Sequence, residues 1–198
     1  MRLATTLLAA AAALALSTPA AAIVNVYTTT LSGANETPAV VSAGTGTAII
    51  TVDTGAKTMR VKVPSFSGLT GLVSASHIHC CFAGASPGTF VVATTTPSFT
   101  GFPSGVSFGS YDHTFDMTLS GSYRAGFITT AGGTTALAFS ALVAGLDSGT
   151  AYLNIHTSTS PGGEIRGALL PVPEPAGYAL MLAGLGLVGL GARRRRQA

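Results

Sequence analysis

The stretch SASHIHCCFAG, residues 74–84, concentrates the side chains of this chain that are best suited to chemistry. It places His77 and His79 one residue apart and follows them at once with Cys80 and Cys81. Imidazole and thiolate groups are common ligands of zinc and copper, and a pair of thiols can also form a disulfide. The stretch therefore raises two separate possibilities, a metal site and a redox site.

The spacing of the histidines suits a metal site if the stretch is a strand. Residues i and i+2 of a strand share a face, which places His77 and His79 together with Cα atoms about 6–7 Å apart. A third histidine, His156, lies in AYLNIHT at residues 151–157. If these strands are neighbours, the three imidazoles would suit Zn or Cu, with a fourth position for water or a nearby Cys. The alternative is that they are half-buried polar residues hydrogen-bonded across strands.

Alternating apolar and polar residues indicate the strands that would position these side chains. A hairpin is expected from TGTAIITVD at 45–53 and KTMRVKVPSF at 57–66, and further strands at 89–96, 110–121, 151–159 and 164–170. The segment 135–152 is ambiguous between a helix and a strand. Many short strands with Gly, Pro and Ser turns predict an all-β fold, a single β-sandwich. Glu164 and Arg166 share a strand face in this interpretation and would form an ion pair at its rim.

The N-terminus, MRLATTLLAAAAALALSTPAAA, has the pattern of a secretory signal peptide. Arg2 supplies a positive charge, Leu3 to Leu16 form an apolar run, and small residues precede a cleavage site after Ala22. The alternative is an N-terminal membrane anchor, for which the run is short. We therefore expect an exported protein that enters an oxidising compartment.

The C-terminus carries a second apolar run. Residues 176–192 are uncharged, at the lower limit for a transmembrane helix. Four arginines follow and would hold the cytoplasmic end: Arg193, Arg194, Arg195 and Arg196. The order of VPEP, apolar run and arginines resembles a PEP-CTERM sorting signal, whose motif corresponds here to Pro173, Glu174 and Pro175. The resemblance implies a Gram-negative bacterium and cleavage near the motif by an exosortase-type sorting enzyme, whereas a plain tail anchor is the alternative.

Charge excludes a nucleic-acid interface. Residues 23–171 contain five Lys and Arg against six Asp and Glu, so this part of the chain is nearly neutral. The basic character of the whole chain comes from Arg2 and the four C-terminal arginines, which describe membrane topology. The sequence also lacks a nucleophile-elbow motif and a phosphate-binding loop, so we do not expect an enzyme.

The central part of the chain contains four motifs: LSGANETPAV at 31–40, SHIH at 76–79, AYLNIHT at 151–157 and PGGEIRGAL at 161–169. Together they resemble the CHRD domain, first named in chordin. The family implies an immunoglobulin-like or superoxide-dismutase-like Greek-key sandwich and no catalytic activity. Typical members follow HIH with Gly-Pro, whereas this chain has Cys80 and Cys81.

The two cysteines are the only ones in the chain. Adjacent Cα atoms are about 3.8 Å apart, below the usual disulfide range of about 4.4–6.8 Å, so a bond between Cys80 and Cys81 would be strained. Free or metal-bound thiols and disulfides between chains are the alternatives. The sequence does not decide among these three states.

Taken together, these observations predict three segments: a signal peptide at 1–22, a CHRD-type domain at 23–171, and a sorting signal with a transmembrane helix at 172–198. The predicted function is that of a surface-sorted binding or structural module of the cell envelope or extracellular matrix. Its expected partners are the sorting enzyme, the membrane transiently, and extracellular polysaccharide or matrix protein. The alternative is a small metalloprotein that binds Cu or Zn through His77, His79 and His156, with a redox or metal-buffering role.

Overall fold

A computed structural model describes residues 24–84 and 88–173, together with 182, 184 and 185. The predicted signal peptide with its cleavage after Ala22 lies outside the described residues. So do Glu174 and Pro175 of the sorting motif, most of the predicted C-terminal helix, and the arginines at 193–196. Among the residues that are described, no helix is long and apolar enough to cross a membrane.

The described chain consists of nine strands and two α-helices, with short 3-10 turns at Gly33–Asn35 and Ser120–Ser122. The strands are β1 Val24–Ser32, β2 Thr45–Asp53, β3 Thr58–Ser67, β4 Val73–Ala83, β5 Phe90–Val92, β6 Gly109–Asp116, β7 Ala151–Thr157, β8 Ile165–Ala168 and β9 Leu170–Pro171. The helices are α1 Ala125–Thr130 and α2 Thr135–Asp147.

The strands form one curled antiparallel sheet in the order β5-β4-β7-β8-β1-β2-β3-β6, with β9 also pairing with β1. The prediction of a mainly β fold is confirmed, although the described residues also include two helices and form one curled sheet rather than the two sheets of a sandwich. The curled sheet has the shape of a half-barrel. It is continuous because β1 pairs with β2 on one side and with β8 and β9 on the other. Alternation in a sequence shows which residues share a face, but not which strands are hydrogen-bonded.

The predicted hairpin is formed by β2 and β3. Val52 lies opposite Met59, and the Asp53 carboxylate accepts hydrogen bonds from the backbone N–H groups of the turn that follows it. The outward-facing Arg60 forms a two-pronged ion pair with Asp112 of β6, at 2.7 and 2.5 Å. Apolar residues at alternate positions of both strands face the core, as the period of two requires.

The ambiguous segment is a helix, α2, that packs against β4, β7 and β9. It begins at an N-cap in which the Thr134 hydroxyl accepts a hydrogen bond from the Leu137 N–H at 3.2 Å. Near its last turn the Tyr27 hydroxyl donates to the Asp147 carboxylate at 2.5 Å. The buried side of the helix follows a helical period and comprises Ala138, Phe139, Leu142, Gly145 and Leu146.

Candidate metal centre

The three predicted histidines lie together on the outer face of two neighbouring strands. β4 and β7 pair antiparallel, with His77 opposite Asn154 and His79 opposite Tyr152. His156 lies two residues beyond Asn154, so it occupies the same face of β7. One imidazole nitrogen from each of the three rings lies within 4.8 Å of the other two. Ile78, between the first two histidines, is fully buried in the core.

Backbone carbonyls determine which nitrogen of each ring carries the proton. The Nδ1 atom of His77 lies 3.0 Å from the Pro97 oxygen, that of His79 lies 2.6 Å from the Phe90 oxygen, and that of His156 lies 2.8 Å from the Pro161 oxygen. A carbonyl oxygen can only accept a hydrogen bond, so we assign the proton to Nδ1 in all three neutral rings. Each Nε2 then presents a lone pair.

The three lone pairs converge. The Nε2 atoms of His77 and His156 are 3.0 Å apart, and two unprotonated nitrogens cannot form a hydrogen bond with each other. The Nε2 atom of His79 is buried and has no hydrogen-bond partner within the described chain. The centre of the cluster is therefore a group of electron-pair donors of the kind that a cation binds.

Burial keeps these rings neutral. It lowers the pKa of His77 to about 3, with a further contribution from repulsion by His156, and it lowers the pKa of His79 to about 4. Burial also lowers the pKa of His156. Only neutral imidazole binds a metal ion, so at neutral pH no proton has to be displaced before a cation can bind.

The geometry fits a transition-metal ion. Bonds of about 2.0–2.1 Å place two imidazole nitrogens on one tetrahedral ion about 3.4 Å apart. The nitrogens of the cluster lie within 4.8 Å of one another, so the rings would move toward the centre when one ion binds all three. The Nδ1–carbonyl hydrogen bonds are also the supporting contacts that metal-bound histidines usually make. The ring of His79 is further fixed by Tyr152, which stacks on it with centroids 4.6 Å apart.

The cysteines are not part of this cluster. Their sulfurs are joined in a disulfide between adjacent residues, the first of the three states that the sequence left open. Cys80 is fully buried, and Cys81 Sγ lies 3.1 Å from the Ala141 carbonyl oxygen of α2. The disulfide therefore contacts the helix, whereas His79 is on the opposite face of β4.

The predicted ion pair between Glu164 and Arg166 is wrong. Glu164 precedes β8 and is fully buried, where its carboxylate accepts hydrogen bonds from Ser42, Thr157, Thr70 and Gly71 at 2.6, 2.6, 2.6 and 3.2 Å. Arg166 instead lies 3.7 Å from the Glu36 carboxylate and donates to the Asn35 carbonyl and the Thr37 hydroxyl. Sequence reasoning missed both Glu36 and the role of Glu164.

Glu36 should make stability depend on pH. Burial raises its pKa to about 7, although Arg166 acts in the opposite direction. The folded state therefore favours the protonated form, so this stabilisation is complete below about pH 4 and is lost as the pH rises through about 7. We therefore expect the free energy of unfolding of the Glu36→Gln variant, relative to that of the wild type, to rise by about 2 kcal/mol as the pH increases from 5 to 8.

Urea unfolding of both proteins at several pH values measures this difference, because titrations shared by the two proteins cancel. A difference that stays constant from pH 5 to pH 8 would show that Glu36 does not titrate in this range. The Asp116→Asn variant is a suitable control, since that carboxylate is exposed and hydrogen-bonded to Thr118.

The fold and the cluster define a single antiparallel β-domain with a three-histidine site on its outer face. A family model described as the CHRD domain matches residues 27–169, which is more than two thirds of the chain. The chain therefore belongs to the CHRD domain family. A model of the PEP-CTERM protein-sorting motif matches residues 171–196. No curated protein and no solved structure shows a significant match.

Both resemblances drawn from the sequence are thus confirmed. A PEP-CTERM motif is the substrate signal of exosortase-type sorting, so the two matches together indicate an exported protein that is sorted to the envelope or surface. Neither match assigns a ligand or a reaction.

Proposed function

We propose that this protein is a surface-sorted binding module of the cell envelope or extracellular matrix, and that it binds one transition-metal ion. The ligands are the Nε2 atoms of His77, His79 and His156. The observation that supports this function best is the convergence of three lone pairs, each oriented by a carbonyl on the other nitrogen of its ring. An array of hydrogen bonds across strands would need a donor at this point.

The chemistry of the ligands favours zinc or copper. Three imidazoles suit either ion, and copper(II) normally binds such a site more tightly than zinc does. Bound copper would add a one-electron couple, whereas zinc would serve in storage or structure. Nothing in the described cluster provides a nucleophile beside the histidines, so we propose binding rather than catalysis.

Metal uptake by matched histidine variants tests the proposal. The wild-type chain should bind one zinc or copper ion, and the His77→Ala variant should bind it more weakly by about 100-fold or more, because loss of even a supporting contact costs about 10–100-fold. The control is His113→Ala. His113 is exposed on β6 at the far end of the sheet, where its ring contacts Phe115 with centroids 4.6 Å apart.

The full chain would be purified in detergent, stripped with a chelator and titrated with metal against a chromophoric competitor. The His113→Ala variant should match the wild type in affinity and stoichiometry. Equal uptake by the wild type and the His77→Ala variant would contradict the proposed site. Circular dichroism of each variant would establish that the fold is retained.

The sorting signal bears on the location in which the protein would bind its metal. We propose that an exosortase-type enzyme cleaves near Pro173, Glu174 and Pro175 after export, and that the four C-terminal arginines stay on the cytoplasmic side. The membrane association is then transient. The β-domain, which ends at β9 just before this motif, would be released to the surface with its histidine site intact.

A further inference from the structure

We propose that the Cys80–Cys81 disulfide is a thiol–disulfide exchange site, and that its reduction by a dithiol weakens metal binding at the three-histidine site. The exchange chemistry stands on the disulfide itself, and its effect on the metal rests on the proposed function. The two sites are joined through the backbone, because Cys80 directly follows His79. They lie on opposite faces of the same strand.

The disulfide lies at a break in strand pairing. His79 pairs with Val92 and Ala83 pairs with Phe90, but the register shifts between these two pairs. Within this break Cys81 has a φ of 73°, in the left-handed region that residues other than glycine rarely occupy. A disulfide between neighbouring residues closes a small ring that includes the peptide bond joining them. This ring restricts Cys81 to its unusual backbone conformation.

The same break positions a supporting contact of the metal site. The Phe90 carbonyl that accepts from Nδ1 of His79 belongs to β5, and the register of β5 against β4 shifts between His79 and Ala83. Without the disulfide, Cys81 would no longer be confined to the left-handed region, and an extended strand would move Phe90 relative to His79. Loss of such a supporting contact usually lowers metal affinity by about 10–100-fold.

Helix α2 packs against the same disulfide and should move when that bond is reduced. Both sulfurs lie against the backbone of Gly145, where the helix has no side chain. The neighbouring Cys81 N–H donates to the Thr150 carbonyl just beyond the helix, at 3.1 Å. Two separate thiols need more room than two bonded sulfurs, so reduction should displace α2 from β4.

The exchange reaction is balanced with a dithiol as the reductant. Its thiolate attacks Sγ of Cys81, which is partly exposed, and Cys80 leaves as a thiolate and takes up a proton. The second thiol of the reductant then attacks the reductant sulfur that is bonded to Cys81. This step releases Cys81 as a thiolate, which is protonated in turn. The protein gains two electrons and two protons, and the dithiol becomes a cyclic disulfide.

Zinc affinity of the full chain in both redox states tests the coupling. One sample is kept oxidised, and the other is reduced with dithiothreitol, which is then removed without oxygen. A thiol assay should find no free thiol in the first sample and two in the second. We expect the reduced protein to bind zinc at least tenfold more weakly, measured against a chromophoric competitor.

The Cys80→Ser/Cys81→Ser double variant is the matched control, because it has no disulfide and no thiol that could itself bind zinc. It should bind zinc as weakly as the reduced wild type. Cobalt(II) is a second probe, since a thiolate-to-cobalt absorption band in the reduced protein would reveal ligation by cysteine. If the double variant fails to fold, the comparison of the two wild-type states still decides the question.

The outcomes separate the two proposals. Equal zinc affinity in both states, or tighter binding after reduction, overturns the coupling and leaves the metal site standing. Absence of zinc and copper binding by the oxidised protein overturns the proposed function and the coupling together. Free thiols in the carefully oxidised protein would remove the exchange site itself.

Discussion

The free energy of unfolding of the Glu164→Ala variant is expected to be about 4 kcal/mol lower than that of the wild type. Glu164 is fully buried and its carboxylate accepts four hydrogen bonds, two from hydroxyls and two from backbone N–H groups. Alanine would leave these donors without a partner, at about 1–3 kcal/mol for each one that stays buried. Domains of this size have about 5–15 kcal/mol of stability, so the variant should be close to unfolding.

The carboxylate joins parts of the chain that are distant in sequence. Ser42 lies in the segment before β2, Thr70 and Gly71 lie between β3 and β4, and Thr157 ends β7. Its charge should also contribute to stability. Burial alone would raise the pKa of Glu164, but hydrogen bonds from Ser42, Thr157 and Thr70 outweigh it and hold the pKa at about 2.

This direction of shift predicts destabilisation in acid. A carboxylate with a lowered pKa stabilises the folded state above the pKa of the unfolded chain, near 4, and the stabilisation is lost as the pH falls through about 2. The contribution at neutral pH is roughly 3 kcal/mol. Below about pH 4 the wild type should therefore lose much of its advantage over the Glu164→Gln variant.

Urea unfolding at pH 7 and pH 3 measures both effects, and Asp112→Ala provides the contrast. Asp112 also pairs with a partner, Arg60, but the pair is exposed and screened by solvent, so its contribution to stability should be small. If Glu164→Ala lowered stability no more than Asp112→Ala does, the carboxylate would not be the connecting group that its contacts indicate.

Alternation in the sequence placed two of the three histidines, and a family resemblance was needed for the third. The period of two puts His77 and His79 on one face, and the family motif around His156 suggested the second strand. Which carbonyls would orient the rings could not be predicted, because Pro97, Phe90 and Pro161 lie in loops or in a short edge strand. The assignment of lone pairs, on which the metal proposal depends, therefore came from the structure.

The same alternation predicts the orientation of Cys80 correctly but not that of Cys81. It places Cys80 with Ile78 on the core face, as found, and would place Cys81 with His79 on the outer face. A φ of 73° at Cys81 reverses this and returns its sulfur to the side of α2. Such a kink depends on a bond between side chains, and no pattern of hydrophobicity encodes it.

The ion pair that sequence reasoning assigned to Glu164 failed for a related reason. Shared-face arguments hold only within a strand, and β8 begins at Ile165, after the glutamate. The Ser42 hydroxyl and the Thr70 N–H, which donate hydrogen bonds to Glu164, are 122 and 94 positions away from it in sequence. Long-range contacts of this kind depend on the order of strands in the sheet, which local periodicity does not determine.

Gly145→Ala and Gly126→Ala should have opposite effects on stability, although both positions are helical. In a helix interior alanine is ordinarily better than glycine by about 1 kcal/mol. Gly126 in α1 has open space where a Cβ would be, so its substitution should stabilise the protein by about 0.5–1 kcal/mol. Gly145 has both disulfide sulfurs at that place, so a methyl group would push α2 away from β4.

The resulting overpacking should cost about 1–3 kcal/mol, a cost that Gly126→Ala does not incur, so the two substitutions should differ in stability by about that amount. Urea unfolding of the oxidised variants measures this difference. A double-mutant cycle identifies its cause, because replacing Cys80 and Cys81 with alanine removes both sulfurs. In that background Gly145→Ala should become favourable by about 0.5–1 kcal/mol, as Gly126→Ala is. A penalty that persists without the sulfurs would mean that α2 is held on β4 by contacts other than those at the disulfide.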